Sequence, residues 1–193
     1  MDNSIDDILE KYYHSFQEKQ YGPENDETDV LMSIYDITPN QKRENRQYWG
    51  RELGMIWQTV VIEIARKYGQ NYQPALRIKN DEPCDLRLGQ DAIDTKYRIG
   101  SGDSGTLKKF KQYGKLLRDC GYRPVLLILR DDNLPAAITA CIHGGWTVYP
   151  GEQAFRYMQM NTGVDLYKIL KEKEQFIKKS GMLEIVAFSE TVD

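Results

Sequence analysis

The chain has 193 residues, of which 40% are hydrophobic and 28% charged. That suffices for one domain with a real core and is too apolar for a mainly disordered chain. No window approaches the roughly 18 uncharged apolar residues of a membrane span, and the acidic opening MDNSIDDILEKYY lacks the apolar centre of a secretory signal. The net charge of −3 taken alone argues against unspecific binding to polyanions.

In chain order, Ile5 to Glu18 reads as an amphipathic helix, with Ile5, Ile8, Leu9, Tyr12 and Phe16 at helical spacing. Asn3 or Ser4 would cap it. Residues 20–29, with Gly22-Pro23, read as a loop, and Thr38-Pro39-Asn40 as another break. Arg46 to Lys67 is a long helix whose stripe is Trp49, Leu53, Ile56, Trp57, Val60 and Ile64. Tyr68-Gly69 ends it. Short strands are expected at Ala75–Lys79, Cys84–Leu88 and Ala92–Arg98. A Gly/Ser/Asp loop over 99–105 leads to a helix over Leu107–Asp119, closed by Gly121. The run Pro124–Leu129 is continuously apolar, as in a strand buried on both faces. Helices at Leu134–Ile142, Gly151–Met160 and Asp165–Lys179 and a last strand at Leu183–Phe188 complete the chain. This order predicts a single α/β domain over 1–193 with a mixed β-sheet flanked by helices. Within it, 1–45 is an N-terminal helical segment, 46–130 the core, and 131–193 the C-terminal helices and last strand.

The charge is distributed unevenly. Residues 1–32 hold nine acids against Lys11 and Lys19, whereas residues 96–123 hold eight bases against Asp103 and Asp119. Lys42, Arg43, Arg46 and Arg51 add to the basic side. A bipolar chain can turn a basic face to phosphate and keep an acidic back, although ordinary solvated helix faces give the same pattern. Cys84, Cys120 and Cys141 are three widely spaced cysteines without CxxC. This argues against a disulfide framework or cysteine-based zinc site and for a cytoplasmic protein.

The chemistry concentrates in Pro83-Cys84-Asp85-Leu-Arg-Leu-Gly89-Gln90-Asp-Ala-Ile-Asp94-Thr95-Lys96. Gly89-Gln90 suits a two-residue type II′ turn, which pairs Leu88 with Asp91, Arg87 with Ala92, Leu86 with Ile93 and Asp85 with Asp94. Strand alternation then puts Asp85, Asp94 and Lys96 on one face and Leu86 and Ile93 on the other. Facing carboxylates repel unless one takes a proton or a cation intervenes. Mg²⁺, which accepts one or two carboxylates, water and phosphate oxygens, resolves the conflict, and Mn²⁺ can substitute. The Lys96 ammonium can orient or deprotonate water, or stabilise charge on phosphate. Taken bare, the pattern also fits a solvent-facing hairpin with a local Asp–Lys pair.

Pro83-x-Asp85 followed by Asp94-x-Lys96 resembles the PD-(D/E)XK nuclease signature, with Cys84 intruding between proline and aspartate. The stretch from Lys96 through Thr106, followed by Leu107-Lys-Lys-Phe-Lys-Gln-Tyr-Gly114, is similar to type II restriction endonucleases of the ApaLI-like family. The resemblance covers roughly residues 46–130. It implies a central four-stranded mixed sheet between helices and Mg²⁺-dependent phosphodiester hydrolysis of double-stranded DNA. It further implies a homodimer and a cognate DNA methyltransferase in the same system. A glutamate from the helix before the motif often joins the metal in such nucleases, which implies Glu52 as first candidate and Glu63 as second.

Ser101-Gly-Asp-Ser104-Gly-Thr106 opens into the basic helix, where Lys108, Lys109, Lys111 and Lys115 cluster. Glycines and a helix N-terminus favour an anion, so this element, with Arg98, is a candidate grip on DNA phosphate. A flexible connector before a solvated helix is the plainer reading. His14 and His143 have no zinc spacing, and no His or Asp is spaced to activate Ser101 or Ser104. His143-Gly-Gly-Trp146 is a connector or an aromatic base-reading element. The expected activity is a type II restriction endonuclease. Alternatives are a repair or junction-resolving nuclease with the same centre, and a non-catalytic DNA-binding subunit.

Overall fold

The computed structural model describes residues 3–18, 22–102 and 104–180. Helix α1 runs over Asn3–Glu18; it starts two residues before the expected Ile5 and takes in Asn3 and Ser4, the expected caps. Its apolar Ile8, Leu9, Tyr12 and Tyr13 are all exposed. Helix α2 (Val30–Ile34) is capped by Asp29, whose carboxylate accepts from the Leu31 and Met32 N–H groups. The expected break at Thr38-Pro39-Asn40 is instead a helix start. Thr38 and Gln41 form a reciprocal capping box, with Pro39 opening α3 (Pro39–Glu44). The proline has no N–H to lose there. Asn45 caps the long α4 (Arg46–Tyr68), which buries Leu53, Trp57, Val61 and Ala65.

Strands β1 (Tyr72–Pro74), β2 (Leu86–Leu88), β3 (Asp91–Lys96), β4 (Arg123–Ile128) and β5 (Thr147–Pro150) form one sheet in sequence order. The first two pairings are antiparallel and the last two parallel. The resemblance implied four strands; the described residues form five. The strand expected at Ala75–Lys79 is replaced by β1, which pairs Tyr72 with Leu88 and Pro74 with Leu86. Beyond Pro74, β2 offers no further partner, and only an isolated bridge joins Ile78 to Asp81. Strand β5 was not foreseen. It follows a Gly-Gly turn, is short and polar at one end, and exists because β4 lies beside it. The last expected strand, Leu183–Phe188, lies outside the described residues.

Helices α5 (Ser104–Asp119) and α6 (Pro135–His143) connect the parallel strands, and α7 (Glu152–Thr162) and α8 (Leu166–Ser180) follow. Alternation along β4 divides the core. Val125, Leu127 and Leu129 join α2, α4, α7 and α8 on one face. Leu126 and Ile128 join α5 and α6 on the other. Trp146 is buried there, its indole N–H donating to the Phe110 carbonyl at 2.8 Å, so it is a core residue and not a base reader. A Cβ on Gly114 would lie 2.2 Å from the Gly144 carbonyl oxygen, so only glycine lets α5 approach α6 this closely. The architecture is an α/β fold of the restriction-endonuclease-like kind.

Candidate active site

The hairpin folds in the expected register. Leu88, Arg87 and Leu86 pair with Asp91, Ala92 and Ile93. Gly89 has φ +57°, as the first central position of a II′ turn requires. The expected fourth pair, Asp85 with Asp94, is not formed: Asp85 lies in a bend before β2, and its N–H donates to the Ile93 carbonyl at 2.8 Å.

Asp85 stands in a bend at this end. One carboxylate oxygen accepts from the Thr95 N–H at 2.7 Å and the Thr95 hydroxyl at 2.6 Å. The other accepts from the Gln58 amide at 2.8 Å. Asp94 and Lys96 follow the β3 alternation, with Lys96 Nζ 2.6 Å from an Asp94 oxygen and 3.0 Å from the Thr95 carbonyl. Burial pushes the Asp94 carboxyl up to about 6; Asp85 pushes the same way by charge and contact, while Lys96 opposes. Burial works to lower the Lys96 pKa, but Asp94 and Asp85 outweigh it and hold the ammonium above its ordinary value. Lys96 is therefore a cation here, suited to orienting a group or stabilising negative charge.

The donor set fits a hard divalent cation. Two carboxylates meet in a poorly solvated place, where burial first and the neighbouring Asp85 second make Asp94 proton-seeking. Among the described residues, no group of three His, Cys, Asp or Glu side chains converges as a metal cluster. Glu52 is paired with Arg51 at 3.1 Å, and Glu63 with Arg66 and Lys67 at 2.9 and 3.1 Å. Hydrogen bonds from Arg66 and Lys67 hold the Glu63 carboxyl down to about 2. The α4 side chain at the carboxylates is Gln58. Sequence reasoning missed it, although it is a polar residue within the apolar run Met55 to Val61. Thr95 was missed as well, being the unspecified middle residue of the motif.

Other groups border the site. Burial, and then the charge of Asp94, pushes the Cys141 thiol up to about 12, so it stays protonated. Burial pushes Cys84 up to about 11. The Tyr113 hydroxyl of α5 donates to Asp81 at 2.8 Å and feels the Asp94 charge, and Lys109 Nζ lies 5.2 Å from the Tyr113 ring centre.

The expected phosphate-gripping residues separate into two groups. Lys108, Lys109, Lys111 and Lys115 are exposed on α5, with Lys115 also paired to Asp119 at 2.6 Å. Ser104 begins α5, and Ser101 lies half-buried before it. Arg98 faces inward instead. It donates to the carbonyls of Gly22, Pro23 and Asp132 at 2.8, 2.9 and 3.0 Å and pairs with the Asp132 carboxylate. It ties the 22–25 segment to the sheet. A buried network lies beside it. Lys42 binds Glu24 and the Tyr97 hydroxyl, Tyr97 donates to Asp29, and Arg130 contacts Asp29 and Asp132.

The fold is α/β, with a carboxylate–lysine hairpin at one end of its sheet. The family model for ApaLI-like restriction endonucleases matches residues 22–175, and the chain belongs to that family. Its class is therefore an endonuclease acting on double-stranded DNA. No curated protein and no solved structure matches it. Among the described residues no helix is long and apolar enough to cross a membrane.

Proposed function

We propose that the chain is a type II restriction endonuclease of the PD-(D/E)XK kind, dependent on Mg²⁺ and cleaving double-stranded DNA at a short specific sequence. The observation that carries this is the convergence of Asp85 and Asp94 beside the Lys96 ammonium. Asp85 and Asp94 would hold Mg²⁺, with Mn²⁺ able to substitute. Once bound, the ion supplies charge neutralisation at phosphate and a more acidic water.

The chain's own residues do the rest. Lys96 orients the attacking water and faces the negative charge that develops on the phosphoryl oxygens. A bond forms from water oxygen to phosphorus as the bond to the leaving sugar oxygen breaks; the attacking water gives up one proton to solvent and the sugar oxygen takes one from solvent, so water is added across the phosphodiester bond. Thr95 and Gln58 fix the Asp85 carboxylate through three hydrogen bonds, which keeps the acid aimed without a rotamer search. Lys108, Lys109, Lys111 and Lys115, with the Ser101–Ser104 loop end of α5, grip the DNA backbone. A palindromic target calls for a two-fold homodimer, and a cognate methyltransferase would protect the host DNA in the cytoplasm.

Plasmid digestion tests this reading. Discrete fragments with Mg²⁺ or Mn²⁺, and none with EDTA, are expected. A smear, a preference for branched DNA, or cutting that survives EDTA would contradict it.

A further inference from the structure

Helix α4 carries an exposed face that the catalytic reading does not use. Its phase is fixed by Gln58, whose amide is bonded to Asp85. At 3.6 residues per turn, Arg51 and Gln47 lie within about 20° of Gln58, Gly54 within about 40°, and Gly50 about 80° away on the Gly54 side. One stripe therefore runs from the carboxylate site toward the helix start. Gln47 and Arg51 are exposed on it, and among the described residues Arg51 is held by its sequence neighbour Glu52 and loosely by the Tyr48 ring at 5.8 Å.

Two glycines interrupt the same part of the helix, and packing explains neither. A Cβ on Gly50 would meet nothing within 4 Å, and one on Gly54 only the Tyr97 Cβ at an ordinary 3.7 Å. Glycine inside a helix is disfavoured relative to alanine. Two of them beside an exposed arginine leave bare helix backbone next to a cation, the relief that a phosphate chain can approach closely.

We infer that the Gln47–Gly50–Arg51–Gly54 face of α4 is a second DNA-backbone contact, binding phosphates of the strand whose scissile phosphate lies at Asp85. The rise of about 1.5 Å per residue sets Arg51 about 10 Å and Gln47 about 16 Å from Gln58 along the helix. Phosphates recur about every 3.4 Å of duplex axis on each strand, so these side chains meet the backbone a few nucleotides from the cut. The contact specifies register rather than sequence. With the α5 lysines, it gives the DNA a cationic contact from each of two helices. This inference rests on the nuclease reading.

The test is binding of a linear duplex cut from a plasmid that the wild type cleaves, in Ca²⁺ so that it stays intact, across a salt series. Arg51→Ala is expected to weaken binding about tenfold and to reduce the salt slope by about one phosphate's worth, while Arg51→Lys keeps the slope. Gly50→Ala is expected to raise the melting temperature yet weaken binding severalfold, a combination that a purely structural glycine would not give. Exposed Arg156 of α7, replaced by alanine, is the control and should change neither quantity. Unaltered affinity and slope in both Arg51→Ala and Gly50→Ala would overturn the inference while leaving the active site standing. A wild type that neither binds nor cuts the duplex would overturn the nuclease reading itself.

Discussion

Thr95 donates two hydrogen bonds to one oxygen of Asp85, from its N–H at 2.7 Å and its hydroxyl at 2.6 Å. The residue between Asp94 and Lys96 thus holds the acid at the bend that leads into β2. The two halves of the motif are joined by a side chain that the motif leaves unspecified.

Replacing Thr95 with valine keeps the backbone bond and removes the hydroxyl. Loss of one hydrogen bond to a charged group should cost about 1.5–3 kcal/mol. Loosening a residue that orients a metal-binding acid should cost about 10–100-fold in activity. Urea unfolding and plasmid cleavage rates check the two effects separately, and Thr95→Ser should restore most of both.

Asp94 predicts a pH dependence with a definite sign. Its carboxyl titrates near 6 in the folded chain against an ordinary 3.8, first because it is buried and then because Asp85 is near. An acid raised on folding favours the protonated folded form. Its contribution to the metal-free protein is therefore best below the ordinary value and declines as pH rises through the window up to about 6. Asp94→Asn should remove that decline and leave the metal-free protein about 1–2 kcal/mol more stable at neutral pH, after loss of the Lys96 pairing is offset. Denaturant unfolding across this pH range, wild type against variant, measures the difference.

Alanine at Lys108, Lys109 and Lys111 together should weaken DNA binding and flatten its salt dependence by up to three phosphate contacts. The three are exposed on α5, so the melting temperature should hold. An unchanged slope would remove α5 from the DNA interface.

The network of Lys42, Glu24, Tyr97, Asp29 and Arg130 should be costly to break singly. Lys42 and Arg130 are 3% and 5% exposed. Arg130→Met would take the guanidinium from Asp29 and leave Asp132 with Arg98, and should destabilise the fold by about 3 kcal/mol. Because Tyr97 adjoins Lys96, cleavage should fall as well. Thermal unfolding and cleavage assays read the two losses.

Much of the site was legible in the sequence because a hairpin converts spacing into geometry. Gly89-Gln90 fixed the register, and the register decides which side chain faces which. The long apolar stripe of α4 and the run Pro124–Leu129 were legible for the same reason: one period, strongly kept. What escaped depended on partners far away in the chain. The β1 pairing, β5 and the turn of Arg98 toward Gly22 and Asp132 are set by neighbours, not by local pattern. The helix contribution escaped because charge drew attention to Glu52 and Glu63, which local arginines and a lysine engage. The uncharged Gln58, a turn or more from each, meets Asp85.

Mn²⁺ binding tests the central claim most directly. Titration of the metal-free chain, followed by calorimetry or by the paramagnetic signal of free Mn²⁺, should show a site in the wild type. That site should weaken at least tenfold in Asp85→Asn and in Asp94→Asn while both variants stay folded. Wild-type protein that takes up no Mn²⁺, or variants that bind it as tightly, would contradict the claim that this pair of acids holds the catalytic ion.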